Sequence, residues 1–165
     1  MSASSPAPAE LCHLSWDEFH RDTRVLVEQL VGRSFRGVVG IARGGLIPAT
    51  IIARELDLRL IDSLCIASYD HTRQGEPQVL KGIEGDGEGL LVVDDLVDTG
   101  VTARLVKELL PRATIVAVYA KPRGRETAEL WAREFSQDTW LHFPWDCASG
   151  PDGLRYVEPL AKQSQ

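Results

Sequence analysis

Apolar positions along the chain gather into short continuous runs separated by longer stretches of mixed polarity. The runs Gly37–Ala42, Leu90–Val93 and Thr114–Ala120 are rich in valine and isoleucine. Runs of this length and composition predict strands buried on both faces. Leu60 to Ser68 is another strand candidate, and Thr139 to Phe143 a fifth extended segment. Between them the period changes. Trp16, Phe19, Val25, Leu26 and Leu30 recur at roughly helical spacing, with Ser15 and Glu18 forming a capping box ahead and Gly32 a stop behind. Leu46 to Leu56 predicts a helix that tolerates Pro48 in its first turn, and Thr102 to Leu110 one that ends before Pro111. Glu126 to Glu134 reads as a further helix. Strands alternating with helices predict an α/β fold: one domain with a central, mainly parallel sheet flanked by helices.

Two stretches stand outside this rhythm. Residues 1–9 are small, polar and proline-containing, without the basic start and apolar run of a signal peptide, so a disordered tail is expected before a domain over 10–160. Residues 69–89 are polar and hold five glycines, with Val79-Leu80 as the one buried anchor. A loop that long inside a domain is usually functional or disordered, and a mobile lid is expected there.

Composition narrows the classes. The 165 residues, 44% hydrophobic and 25% charged, suit one ordinary globular domain. A net charge of -6 without clustered basic residues argues against a nucleic-acid partner. Such a protein can still hold a phosphate where backbone N–H groups, local cations and a metal supply positive field. Cys12, Cys65 and Cys147 are far apart and form no CxxC pair, which points to reduced thiols of a cytosolic protein.

The segment Leu90 to Thr102 carries the chemistry. Four apolar residues lead into Asp94-Asp95, then Asp98-Thr99-Gly100-Val101-Thr102 opens a helix. In an open parallel sheet, ligands bind at the carboxyl ends of strands. A Thr-Gly-Val-Thr turn can aim backbone N–H groups and two hydroxyls at one phosphate, aided by the helix dipole. The adjacent carboxylates can then take vicinal ribose hydroxyls, or water on a bound magnesium. Taken singly, these aspartates could equally cap a helix.

This segment resembles the phosphoribosyl pyrophosphate signature of type I phosphoribosyltransferases, and the chain from Leu14 to Asp146 is more closely similar to bacterial xanthine-guanine phosphoribosyltransferases. The similarity includes Gly40 to Pro48, Cys65 to His71, Glu84 to Gly89, Ala120 to Arg125, Gln137 to Trp140 and Pro144-Trp-Asp146. It implies that Asp94 and Asp95 hold the ribose hydroxyls, that Asp95 also meets magnesium, and that Asp98 to Thr102 cradles the 5'-phosphate. It implies a pyrophosphate loop at Arg43-Gly44 with a non-proline cis peptide. Asp98 becomes the carboxylate beside purine N7, a general base or proton relay. Lys121 meets the purine O6, where adenine would present an amino group instead. Trp140 stacks on the base, Leu141 offers backbone groups near C2, and Asp146 binds a second magnesium.

Tyr69 and Arg73 fall in the lid, where the family's usual arginine aligns with Gly75. Val101 stands where glycine is more usual, so a left-handed conformation there would be strained. The resemblance further implies Mg2+ as cofactor, phosphoribosyl pyrophosphate with xanthine, guanine or hypoxanthine as substrates, and no nucleic acid. It implies homodimers or homotetramers in the cytoplasm, in a few members peripheral on the inner membrane. A regulator that merely senses phosphoribosyl pyrophosphate would need a basic face or an added DNA-binding segment.

Overall fold

The computed structural model of the chain describes residues 10–67 and 77–163. In order these form β1 (Glu10–His13), α1 (Trp16–Leu30), β2 (Gly37–Ala42), α2 (Leu46–Glu55), β3 (Ile61–Ala67), β4 (Gln78–Lys81) and β5 (Leu90–Val97). Then follow α3 (Val101–Leu109), β6 (Thr114–Ala120), β7 (Leu130–Glu134), β8 (Thr139–His142), β9 (Cys147–Gly150), β10 (Gly153–Tyr156) and α4 (Leu160–Gln163). Six strands make the central sheet in the order β4-β3-β2-β5-β6-β7. All its pairings are parallel except β3–β4. The short β1 and β8 pair in parallel, and β9 and β10 form an antiparallel hairpin.

The strands are apolar on consecutive positions because the sheet has two cores. Val38, Leu91, Val93, Val116 and Val118 face one side, packed with Phe19, Leu26 and Leu30 of α1, Ala49 and Ile52 of α2, and Leu141 of β8. Val39, Leu90, Val92, Ile115 and Ala117 face the other, where Ala103 and Val106 of α3 cover them. Helix α1 begins as its capping box predicts: Ser15 Oγ accepts the Glu18 N–H at 3.2 Å, and the Glu18 carboxylate accepts the Ser15 N–H at 2.9 Å. Its buried stripe runs through Phe19, Thr23, Leu26, Val27 and Leu30, whereas Trp16 and Val25 are exposed.

Three expectations change. Residues 126–134 do not form a helix. A short 3-10 turn at Arg125–Thr127 leads into β7, where Leu130 and Ala132 pack on one face of the sheet and Trp131 on the other. That is a period of two, which only a strand can satisfy. Strand β5 runs past Val93 to Val97, so Asp94 and Asp95 lie within it. The second half of the expected lid is built into the body. Strand β4 pairs with β3, Leu80 is exposed rather than buried, and the turn before β5 is latched by Arg36 and Arg112. Tyr69, Arg73 and Gly75, like the expected tail over 1–9, lie outside the described residues.

Candidate active site

The β2–β5 ladder ends at Gly40 and Val93, while β5 continues beside β6 to Val97. Strand β3 lies on one side of β2 and β5 on the other, so the strand order reverses between β2 and β5. The carboxyl ends of two such strands diverge and leave a crevice. Arg43, Gly44 and Asp95 line one hollow there, and Asp94 with Asp98 to Thr102 lines another.

From the end of β2, the loop Arg43-Gly44-Gly45 turns into α2, and the Ala42–Arg43 peptide is cis. A Cβ at Gly44 would lie 1.9 Å from Asp95 Oδ2, so glycine alone lets the loop backbone reach that carboxylate. Arg43, Gly44 and Asp95 share a cleft of about 900 Å3 with Trp145 and Asp146. Its far wall is the segment Val157 to Gln163, tied down where the Val157 N–H donates to the Asp146 carbonyl at 2.8 Å. The sequence offered no role for this tail, because contact with a distant loop leaves no local pattern.

Across β5, Asp94 and residues Leu96 to Ala103 line a second hollow of about 100 Å3. Gly100 adopts φ 80°, and a Cβ there would meet the Thr127 methyl at 2.6 Å. The turn is therefore specific for glycine, and it delivers the first N–H groups of α3 to the hollow. Val101 is the first residue of α3, and among the described residues Asp57 is the one non-glycine with positive φ. The left-handed strain anticipated at Val101 does not arise.

Asp94 and Asp95 bond back onto the strand. The Asp95 N–H donates to Asp94 Oδ1 at 2.9 Å, and the Leu96 N–H to Asp95 Oδ1 at 2.8 Å. Burial, then the neighbouring Asp95 charge, raises the Asp94 carboxyl well above the usual carboxylate range. Burial also raises Asp95, with the charge of Asp146 adding to it. Among the described residues no lysine or arginine side chain is paired with either carboxylate, and both are partly exposed. Among the described residues no three His, Cys, Asp or Glu side chains converge as a metal cage. Asp95 and Asp146 on one cleft fit instead a magnesium ion held by one or two carboxylates and by substrate oxygens.

The third part of the site is a polar ring. Lys121, at the end of β6, is 4% exposed, and its ammonium donates to Asp98 Oδ2 at 3.2 Å. Gln137 Nε2 donates to Asp98 Oδ1 at 2.7 Å, and Gln137 Oε1 accepts the Arg123 N–H at 3.0 Å. In the sequence Gln137 stands only within a stretch of family similarity, since a polar residue ahead of a strand carries no signal by itself. Two residues later β8 begins, with Leu141 buried and Trp140 about half exposed. The geometry thus brings Arg43, Gly44, Asp95 and Asp146 to one cleft, and Asp94 and Asp98 to Thr102 around another. Lys121 joins Asp98 directly, while Trp140 and Leu141 stand on the β1–β8 pair beyond Gln137.

A parallel sheet with a phosphate-sized cradle, an acidic pair and a glycine loop at its switch point defines a class that handles phosphorylated sugars. The chain belongs to the family described as the phosphoribosyl transferase domain, whose profile matches residues 15–150. It is 57% identical over 150 residues to a xanthine-guanine phosphoribosyltransferase of Chromohalobacter salexigens, covering 91% of this chain and 90% of the relative. A xanthine-guanine phosphoribosyltransferase of Desulfotalea psychrophila is 50% identical over 154 residues, covering 92% and 93%. Among solved structures, a purine phosphoribosyltransferase from Pyrococcus horikoshii superposes with a TM-score of 0.70 at 28% identity, over 82% of this chain and 93% of that one.

Proposed function

We propose that this protein transfers the 5-phosphoribosyl group of phosphoribosyl pyrophosphate to N9 of xanthine or guanine, and more weakly of hypoxanthine. The products are the nucleoside monophosphate and pyrophosphate. The observation that carries the reading is the buried Lys121 ammonium paired with Asp98 beside the phosphate hollow. A purine that is keto at C6 offers that cation an acceptor and offers the carboxylate a ring N–H; adenine offers the cation an amino group and is rejected.

In this account the Thr99–Thr102 turn and the start of α3 hold the 5'-phosphate, and Asp94 and Asp95 take the ribose hydroxyls. Arg43 and the Gly44 backbone receive the pyrophosphate. As N9 bonds to the anomeric carbon, the bond to pyrophosphate breaks and its electrons leave with that group. Asp98 accepts the proton that the purine ring gives up, and its charge stabilises the positive sugar carbon on the way. Asp95 and Asp146 would hold magnesium, which when bound neutralises charge on the pyrophosphate. Trp140 stacks on the base, and the Leu141 backbone contacts the C2 substituent. The enzyme works in the cytoplasm as a homodimer or homotetramer, a reading supported by the exposed apolar Ile61 and Leu80 on the neighbouring strands β3 and β4. No helix among the described residues is long and apolar enough to cross a membrane.

The test is nucleotide formation from xanthine, guanine, hypoxanthine and adenine in turn, with phosphoribosyl pyrophosphate and magnesium. The expected result is product from the three oxopurines and none from adenine, with Lys121→Ala losing at least tenfold in kcat/KM for the oxopurines. No product from any base, in a folded protein that binds phosphoribosyl pyrophosphate, overturns the proposal.

A further inference from the structure

Asp98 has two donors, and under the proposed function one of them must leave. Lys121 Nζ sits 3.2 Å from Asp98 Oδ2, while the same ammonium is the cation assigned to the purine O6. When the base draws the lysine away, a carboxylate whose side chain is about half exposed would swing free unless something else held it. Gln137 is that holder. Its Nε2 donates to the other carboxylate oxygen, Oδ1, at 2.7 Å.

The direction of this bond is fixed by a second one. Gln137 Oε1 accepts from the Arg123 backbone N–H at 3.0 Å, so the amide oxygen is committed and the NH2 must face Asp98. Arg123 stands in the turn that follows Lys121, closed where the Gly124 N–H donates to the Lys121 carbonyl at 2.9 Å. One short loop after β6 therefore carries the mobile donor and orients the stationary one. We propose that Gln137 is a positioning residue that holds the Asp98 carboxylate in place while Lys121 turns to the oxopurine. The inference rests on the phosphoribosyl transfer proposed above and adds a residue to it.

Two variants test it beside the wild type. Gln137→Met keeps the length of the side chain and removes the donor; Gln137→Glu replaces the donor with a like charge against Asp98. Both are expected to lower kcat by roughly ten- to a hundredfold, short of losing the base itself. Affinity for phosphoribosyl pyrophosphate, measured by calorimetry, is expected to stay within about twofold. Wild-type turnover in both variants overturns the assignment while leaving the transferase reading intact. Loss of phosphoribosyl pyrophosphate binding together with turnover makes Gln137 a general structural residue and also overturns it. A wild-type protein that makes no nucleotide removes the parent reading and this one with it.

Discussion

Strand β5 has an acidic pair at each end, and the two pairs live under opposite conditions. Ahead of its first residue, Asp86 and Glu88 lie on the surface and are met by Arg112, which donates to Glu88 Oε2 at 2.8 Å. The Glu88 N–H, and after it the Arg112 guanidinium, hold Asp86 below the usual carboxylate range. At the other end Asp94 and Asp95 stand side by side, half-buried, with no guanidinium or ammonium of the described residues bonded to them, and burial pushes both up. The first arrangement is what folding favours. The second costs folding some stability, and functional sites are where carboxyls perturbed in that way gather.

The largest effect should come from the chemistry at this end. Asp98→Asn removes the proton acceptor while leaving shape and hydrogen-bonding capacity nearly unchanged. Nucleotide formation should fall by about 10²–10⁴-fold, with phosphoribosyl pyrophosphate binding retained. Activity within threefold of wild type would remove Asp98 from the reaction.

Next in size is a pH effect on the ligand-free protein. Asp94 and Asp95 have folded values above the ordinary value near 4, so the protonated pair is favoured by folding. Their stabilising contribution is fully present below about pH 4 and is lost as pH rises through the raised folded values. Asp86, Asp62 and Glu18 are shifted the other way, and their contribution is lost as pH falls below about 4. Equilibrium unfolding without ligand should therefore show stability declining as pH rises above about 4, through the raised values of the pair, and saturating magnesium with phosphoribosyl pyrophosphate should remove the decline. A profile that does not decline above that point contradicts the raised pair.

The smallest effect belongs to the satisfied end. Arg112→Ala breaks solvent-exposed ion pairs and should leave activity unchanged and the unfolding midpoint nearly so. A large loss of activity would mean that the two ends of β5 are coupled.

How much of this was legible beforehand follows from what each residue depends on. The strands β2, β5 and β6 and the helices α1, α2 and α3 were readable because burial on a fixed period writes itself into neighbouring positions. Asp94, Asp95 and the Thr99–Thr102 turn were readable for the same reason: they are contiguous, and their chemistry follows from order along the chain. Strand β7 was misread as a helix because five residues, Leu130 to Glu134, are too few to separate the two periods when both faces are covered. Gln137 and the Val157–Gln163 wall were invisible because each acts through a partner far away, Asp98 in one case and the Asp146 cleft in the other. Strand β4 hid inside a glycine-rich stretch because it is held by pairing with β3, which is distant in sequence.

The central claim is that the carboxyl end of β5 gives up stability in order to receive a ligand, and Asp94→Asn tests it most directly. The amide mimics a protonated Asp94: its oxygen can still accept the Asp95 N–H, and it carries no charge. Thermal unfolding of the ligand-free variant at pH 8 should give a midpoint above that of wild type. Nucleotide formation by the same sample should fall at least tenfold. A midpoint at or below that of wild type, or an unchanged rate, would contradict the account.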